Sequence, residues 1–166
     1  MKGLENPAYL VLYVISNIAA LVMWVAAWKS PRLGRLLFFL LFTWASWANW
    51  NEAIRSPQFY LDYADLSFLN IYKQIILGWF SKHITEAVGF IASCQALIAV
   101  SMLLKGWILK LGSIGAIIFL LAIAPFGAGS AFPCTIIMAF GMYVLIRNPS
   151  HDYLWINPKS KKAALR

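Results

Sequence analysis

Charge is what this chain lacks most. Asp, Glu, Lys and Arg make up 12% of its 166 residues, about half the share of an ordinary soluble domain. Hydrophobic residues reach 61%. A water-soluble domain of this length has too little interior to hide that much apolar surface, so lipid is the expected solvent. Cysteine is scarce as well. Cys94 and Cys134 are too few for a disulfide framework and form no Cys-x-x-Cys pair. His83 and His151 are the only histidines, and no His, Cys, Asp and Glu cluster has the spacing of a metal site. There is no glycine loop followed by Lys and Ser or Thr, and no Ser-His-Asp-like set. A cleavable signal peptide is not expected: Lys2 is balanced by Glu5, and the first apolar run ends in bulky Trp28 and Lys29.

What is present in excess is apolar sequence in long runs. It predicts an all-α fold, an integral membrane helical bundle forming one domain over residues 1–166. Five transmembrane helices are expected at about 8–28, 36–54, 83–104, 111–125 and 131–146. The segment Lys29 to Arg35 reads as a basic loop broken by Pro31 and Gly34, and Lys105 to Lys110 as a basic turn. The chain carries a net charge of +8. Its basic residues fall in short loops without a stripe of interleaved exposed aromatics, so they indicate topology and contact with anionic lipid, not a nucleic-acid partner. Lys29, Arg32, Arg35, Lys105, Lys110, Arg147 and the tail lysines share one side. The positive-inside rule then places the N-terminus outside and the basic tail, 147–166, in the cytoplasm.

The longest polar segment, Arg55 to Lys82, lies on the outer side. Within it Phe68, Tyr72, Ile75, Ile76 and Trp79 recur at helical spacing. That pattern suits an amphipathic helix over about 68–81 lying flat on the outer face, or an extension of the third span.

Ionisable groups near a membrane are the natural candidates for a site. Glu52 ends the second span beside Asn49 and Asn51, and Glu86 lies one turn into the third. Trp44, Trp47 and Asn51 share a stripe below them. One reading is an outer-facing pocket formed by Trp44, Trp47, Asn49, Asn51, Glu52 and Glu86. Its natural guest is a flat amphipathic molecule such as a quinone, and burial would raise the pKa of Glu86 for proton exchange. The other reading is interfacial: both carboxylates pair with Arg55, Lys82 or His83 and set helix ends. At mid-depth Ser93 and Gln95 are nearly alone among polar side chains.

Cys94 and Cys134 should differ in depth by roughly 10 Å at 1.5 Å per residue, so free thiols are expected. Gly89 with Ser93, Gly112 with Ala116, and Thr135 with Ala139 offer small-residue pairs for close helix approach. The uncharged loop Pro125 to Pro133 reads as a tight outer hairpin. In the tail, Tyr153 and Trp155 should dock at the inner interface, while Lys159, Lys161 and Lys162 meet lipid or an acidic partner.

The run Trp44-Ala-Ser-Trp-Ala-Asn-Trp-Asn-Glu52, the outer segment with Pro57 and Tyr60, and the opening Ile84-Thr-Glu-Ala-Val-Gly89 together resemble the DoxX-like family of small four-span membrane proteins. The resemblance covers about residues 35–147. It implies a four-helix core with the first span as an extra helix, and Glu86 and Gly89 match the family's acidic-then-glycine opening. No catalytic residue is carried over. The function expected is a small accessory or quinone-proximal subunit of a membrane redox complex in a prokaryotic cytoplasmic membrane. Its partners would be lipids and other membrane subunits, and the chain alone would bind no cofactor other than quinone. A stand-alone quinone-linked oxidoreductase of sulfur or thiol metabolism, and a small transporter, are the alternatives. A transporter usually shows polar residues near the midplane on several helices.

Overall fold

The computed structural model describes residue 5, residues 7–148 and residues 152–155. Among them there are helices and turns and no strand. The long helices are α1 (Pro7–Lys29), α2 (Pro31–Arg55), α5 (Ile84–Leu103), α6 (Gly106–Ile123) and α7 (Cys134–Arg147). Two short helices, α3 (Tyr63–Leu66) and α4 (Asn70–Ile75), lie between α2 and α5. A 3-10 turn, Pro57–Asp62, precedes α3, and a π-helical turn, Ile76–Phe80, follows α4.

Among the described residues, three segments are long and apolar enough to cross a membrane: Tyr9–Lys29, Ile84–Leu103 and Gly106–Ser130. Helix α2 has the length, at 25 residues, but its Trp and Asn residues dilute its hydropathy. Helix α7 has 14 residues, or about 21 Å, against a hydrocarbon core of about 30 Å. Large apolar side chains stand exposed along the outer faces, among them Val14, Ile18, Leu40, Leu97, Leu111 and Ile118. Such faces suit lipid, since monomers in water seldom expose contiguous apolar surface on this scale.

The five long helices close into a ring in the order α1, α2, α5, α6, α7 and back to α1. Every one of them supplies the core: Met23 and Ala27, Phe38 and Phe42, Met102, Leu109 and Ala116, Met138 and Met142. Helix α1 is therefore a full member of the bundle, packed on both α2 and α7, whereas the resemblance implied a helix outside a four-helix core. Its buried Ala20, Met23 and Ala27 recur at spacings of three and four, which is what gives α1 an inward face.

Two turns depart from expectation. Pro31 and Gly34 do not break a helix. Ser30 alone separates α1 from α2, and Pro31 occupies the first position of α2, where its missing N–H costs nothing. Gly34 lies inside α2 against α1; a Cβ there would sit 2.6 Å from the Ala27 Cα, so glycine is what permits the tight α1–α2 approach. Likewise Lys110 belongs to α6, leaving only Leu104 and Lys105 between α5 and α6. Of the small-residue pairs, Gly89 lies against Trp50 and Gly112 against Ser101. Lipid offers no hydrophobic driving force between helices, so close approaches of this kind supply the packing energy instead.

The expected flat helix over 68–81 is shorter and broken. It begins at Asn70, passes into the π-helical turn, and includes a non-helical Gly78 (φ −91°, ψ −105°). Ile76 is buried and Tyr72 half-buried, while Phe68, Ile75 and Trp79 are exposed. The loop after α6 is a 3-10 turn, Ala124–Ser130. Gly127 takes φ 62° there, and any side chain would meet the Leu66 carbonyl at 2.8 Å.

That loop is sunk into the bundle. Asn17 Nδ2 donates to the Ala131 carbonyl at 3.0 Å, and Asn17 lies ten residues, about 15 Å, along α1. Helix α7 thus begins near the mid-height of α1. The space above it is filled by α3 and its flanks. Phe68 N–H and Ser67 Oγ both donate to the Pro125 carbonyl, at 2.8 and 3.1 Å. Tyr63 and Tyr72 both pack on the Phe126 ring, and Phe68 packs on Phe132. We name this the aromatic end. The opposite, basic end gathers Lys29, Arg32, Arg35, Lys105, Lys110 and Arg147 at the α1–α2 and α5–α6 turns and the end of α7.

Candidate functional site

Helix α2 turns by about 100° per residue, which separates the residues expected to share a pocket. Asn49 lies on the face that meets α5, with buried Ser46 and Ala53. Trp44, Trp47 and Asn51 lie on nearly the opposite face, and both Trp rings are exposed, at 63% and 65%. Glu52 is half-buried between the two faces. Glu86 is exposed on the first turn of α5, and no other described part of this chain buries it. As an anion at a helix N-terminus it complements the helix dipole. Neither carboxylate forms an ion pair among the described residues. His83 instead stacks on Trp79 and contacts its carbonyl through Nδ1 at 3.0 Å.

One residue of the six, Asn49, is drawn into a polar relay. Tyr60 OH donates to Asn49 Oδ1 at 2.8 Å, and Asn49 Nδ2 donates to Gln95 Oε1 at 2.8 Å. Gln95 is buried on α5, eleven residues from its start, at roughly mid-length. Two side chain-to-carbonyl bonds flank the relay across the same α2–α5 seam: Ser46 Oγ to Ala92 at 2.7 Å and Thr85 Oγ1 to Ala53 at 3.1 Å. Burial pushes the Tyr60 hydroxyl well above the usual phenol range, with the neighbouring Tyr63 and Glu52 adding to it. Its neutral, donating form is thereby held.

The relay ends at a groove. Between α5 and α6 lies an open apolar cleft of about 620 Å³, within the range of small-ligand sites. Phe90, Ile98, Leu104, Ile108, Leu111 and Phe119 supply apolar walls, and Gln95 is its mid-height amide. Asn49 donates to the Gln95 carbonyl oxygen, which fixes the orientation of that amide. None of the six expected pocket residues lines this groove. The sequence signal for it was Gln95 itself, a lone amide within an apolar span.

Cys94 and Cys134 are free thiols, Cys134 buried. In the tail, Tyr153 stacks on Trp155 at 4.8 Å and receives Lys105 Nζ over its ring at 4.8 Å. Lys159, Lys161 and Lys162 lie outside the described residues.

Comparison with protein-family models, with curated proteins and with solved structures finds no match to this chain.

Proposed function

We propose that this chain is a five-span membrane protein serving as a small subunit beside a membrane redox complex, with a quinone-type molecule held in the α5–α6 groove. The observation that carries this reading is Gln95: a buried amide, oriented by Asn49 and Tyr60, lining a largely apolar cleft whose Ser101 hydroxyl is bonded to the Ile98 carbonyl. A quinone matches that arrangement, since its ring carbonyl accepts one hydrogen bond and its isoprenoid tail lies along the apolar walls. The chain binds and positions the ring, and electrons reach it from a partner's centre. In this reading all five long helices cross the bilayer, the shorter α7 being completed by the sunk loop above it. Non-helical backbone at that depth is tolerated because protein surrounds it. The basic end faces the cytoplasm.

The test is purification in mild detergent followed by organic extraction and mass spectrometry of lipids and co-eluting chains. Wild type is expected to retain quinone together with partner subunits. Gln95→Leu and Gly115→Phe, the second filling the groove, are expected to lose it. One hydrogen bond in lipid contributes about 1–2 kcal/mol, roughly a tenfold loss of retention. Equal quinone content in all three proteins would sink the reading, and a solitary peak without partners would favour a stand-alone enzyme.

A further inference from the structure

The basic end contains a second cavity, of about 360 Å³, between the α1–α2 junction and the C-terminal segment. Lys29, Ser30, Arg32, Arg35, Asp152 and Tyr153 are among the residues lining it. Three of these are cations and one is a carboxylate, so the cavity is positive.

Its two arginines differ in what they have left to offer. Arg35 is 4% exposed, and all three of its guanidinium nitrogens donate to backbone carbonyls. Nε donates to the Met102 carbonyl at 2.8 Å, Nη1 to the Asp152 backbone carbonyl at 2.6 Å and Nη2 to the Leu104 carbonyl at 2.6 Å. Arg35 commits three of its five N–H donors to the fold and lends its charge to the cavity. Arg32 is the reverse. Arg32 is half-buried; its Nη2 is shielded from water and has no hydrogen-bond partner among the described residues. A buried donor left unpaired costs about 1–3 kcal/mol, more on a charged group. Retaining one beside a positive cavity makes sense when an anion completes it.

The start of α2 points the same way. Ser30 is its N-cap residue, yet the side chain makes no capping bond. The first intrahelical bond of the turn runs from Gly34 N–H to the Ser30 carbonyl at 2.9 Å. The amides of Arg32 and Leu33 precede it, at the positive end of the helix dipole, where such groups bind oxyanions. Trp28, Leu33 and Leu36 stand exposed around this junction, Trp28 at 68%, and provide apolar surface next to the charged cavity.

We propose that this cavity binds a phosphate group, and that the phosphate belongs to the headgroup of an anionic phospholipid. Arg32 Nη2 and the first-turn amides of α2 donate to the phosphate oxygens. Lys29 and Arg35 supply the surrounding charge, and the acyl chains lie on Trp28, Leu33 and Leu36. A lone guanidinium matches phosphate geometry better than an ammonium does. The lipid source rests on the membrane reading above, whereas the phosphate chemistry does not.

The experiment uses the full chain reconstituted in nanodiscs of phosphatidylcholine, with and without phosphatidylglycerol, and in detergent with inorganic phosphate. The readouts are co-purifying phosphatidylglycerol and the unfolding temperature. Wild type is expected to retain phosphatidylglycerol and to unfold later in its presence. Arg32→Gln and Lys29→Gln are each expected to lower retention roughly tenfold, about one charge-assisted hydrogen bond. Arg32→Lys should restore part of it, and Lys110→Gln, at the same end but outside the cavity, should leave it unchanged. All variants should match wild type in phosphatidylcholine alone, which separates a binding loss from a folding loss. Protection by inorganic phosphate that depends on Arg32, without any preference for phosphatidylglycerol, would support the phosphate site and overturn its lipid source. Retention indifferent to both Arg32 and Lys29 overturns the site itself. Entry into nanodiscs, scored separately, reports on the membrane reading.

Discussion

The two ends of the bundle are fastened by different chemistry. At the aromatic end, rings and neutral polar groups do the fastening: Ser67 and Tyr72 donate to carbonyls at and just before the sunk loop, Tyr63, Phe126, Phe68 and Phe132 fill the space, and Tyr60 and Asn49 tie the adjoining α2–α5 seam. At the basic end one buried guanidinium joins three separate pieces of chain: α5, the α5–α6 turn and the C-terminal segment. Together with Leu154 N–H on the Leu103 carbonyl at 3.1 Å, Arg35 satisfies three successive carbonyls at the C-terminus of α5, which the helix itself leaves without donors. Many weak contacts tolerate the loss of any one; a single hub does not.

That contrast is most directly broken at Arg35. Arg35→Leu removes three charge-assisted hydrogen bonds and leaves carbonyls unpaired, so the loss of stability should be about 4 kcal/mol. It would be read as an early unfolding transition in mild detergent. Arg35→Lys should recover less than half, because one ammonium cannot reach three diverging acceptors. Gly34→Ala attacks the same end through packing. With the Ala27 backbone 2.6 Å from the new methyl group, α1 and α2 must separate, at a cost of about 1–3 kcal/mol. At the aromatic end the expected effects are smaller. Tyr60→Phe should cost about 1 kcal/mol, and a double-mutant cycle with Asn49→Leu should show coupling of about 0.5–1 kcal/mol. Lys73→Ala should cost less than about 0.5 kcal/mol, because the Lys73–Asp65 pair at 2.7 Å has side chains 47% and 77% exposed.

Alkaline pH sharpens the comparison without mutation. Burial raises the hydroxyl pKa of both Tyr60 and Tyr63; Glu52 adds to both, and Tyr63 also acts on Tyr60. The folded state therefore favours the neutral phenols. Their contribution is fully present below the ordinary tyrosine pKa of about 10 and is lost as pH rises beyond it. The aromatic end should loosen first in base, seen as tyrosinate absorbance and exposure of the 57–83 segment to protease. Tyr60→Phe/Tyr63→Phe should flatten that dependence, while the arginine-held end stays closed.

The helices themselves were legible because their apolar runs are long and their charges sit at turns. Helix boundaries failed where a residue has two uses: Pro31 and Gly34 read as breakers, yet one starts a helix and the other lets two helices touch. Arg35 read as a topology signal, and nothing in its sequence neighbourhood announces that it will reach Asp152. The candidate site was half legible. Gln95 stands out as an amide in apolar surroundings and Asn49 as part of the polar cluster with Asn51 and Glu52, but pairing the two requires knowing which face of α2 meets α5. Trp44 and Trp47 were grouped with Asn49 by proximity along the chain, although they project from the other side of the helix. Contacts between distant irregular segments, such as Phe68 with Pro125, leave no period in the sequence to read.

Ring closure has a consequence for biogenesis. Because α7 sits between α6 and α1, of the five long helices the one made last joins the one made first. The α3 segment and its flanks, which receive the α6–α7 hairpin, emerge from the ribosome well before the hairpin does, so the mould precedes the casting. A nascent chain halted ahead of Cys134 would be a trough with its interior methionines and phenylalanines open to lipid on one side, a shape that a membrane protease can recognise as unfinished.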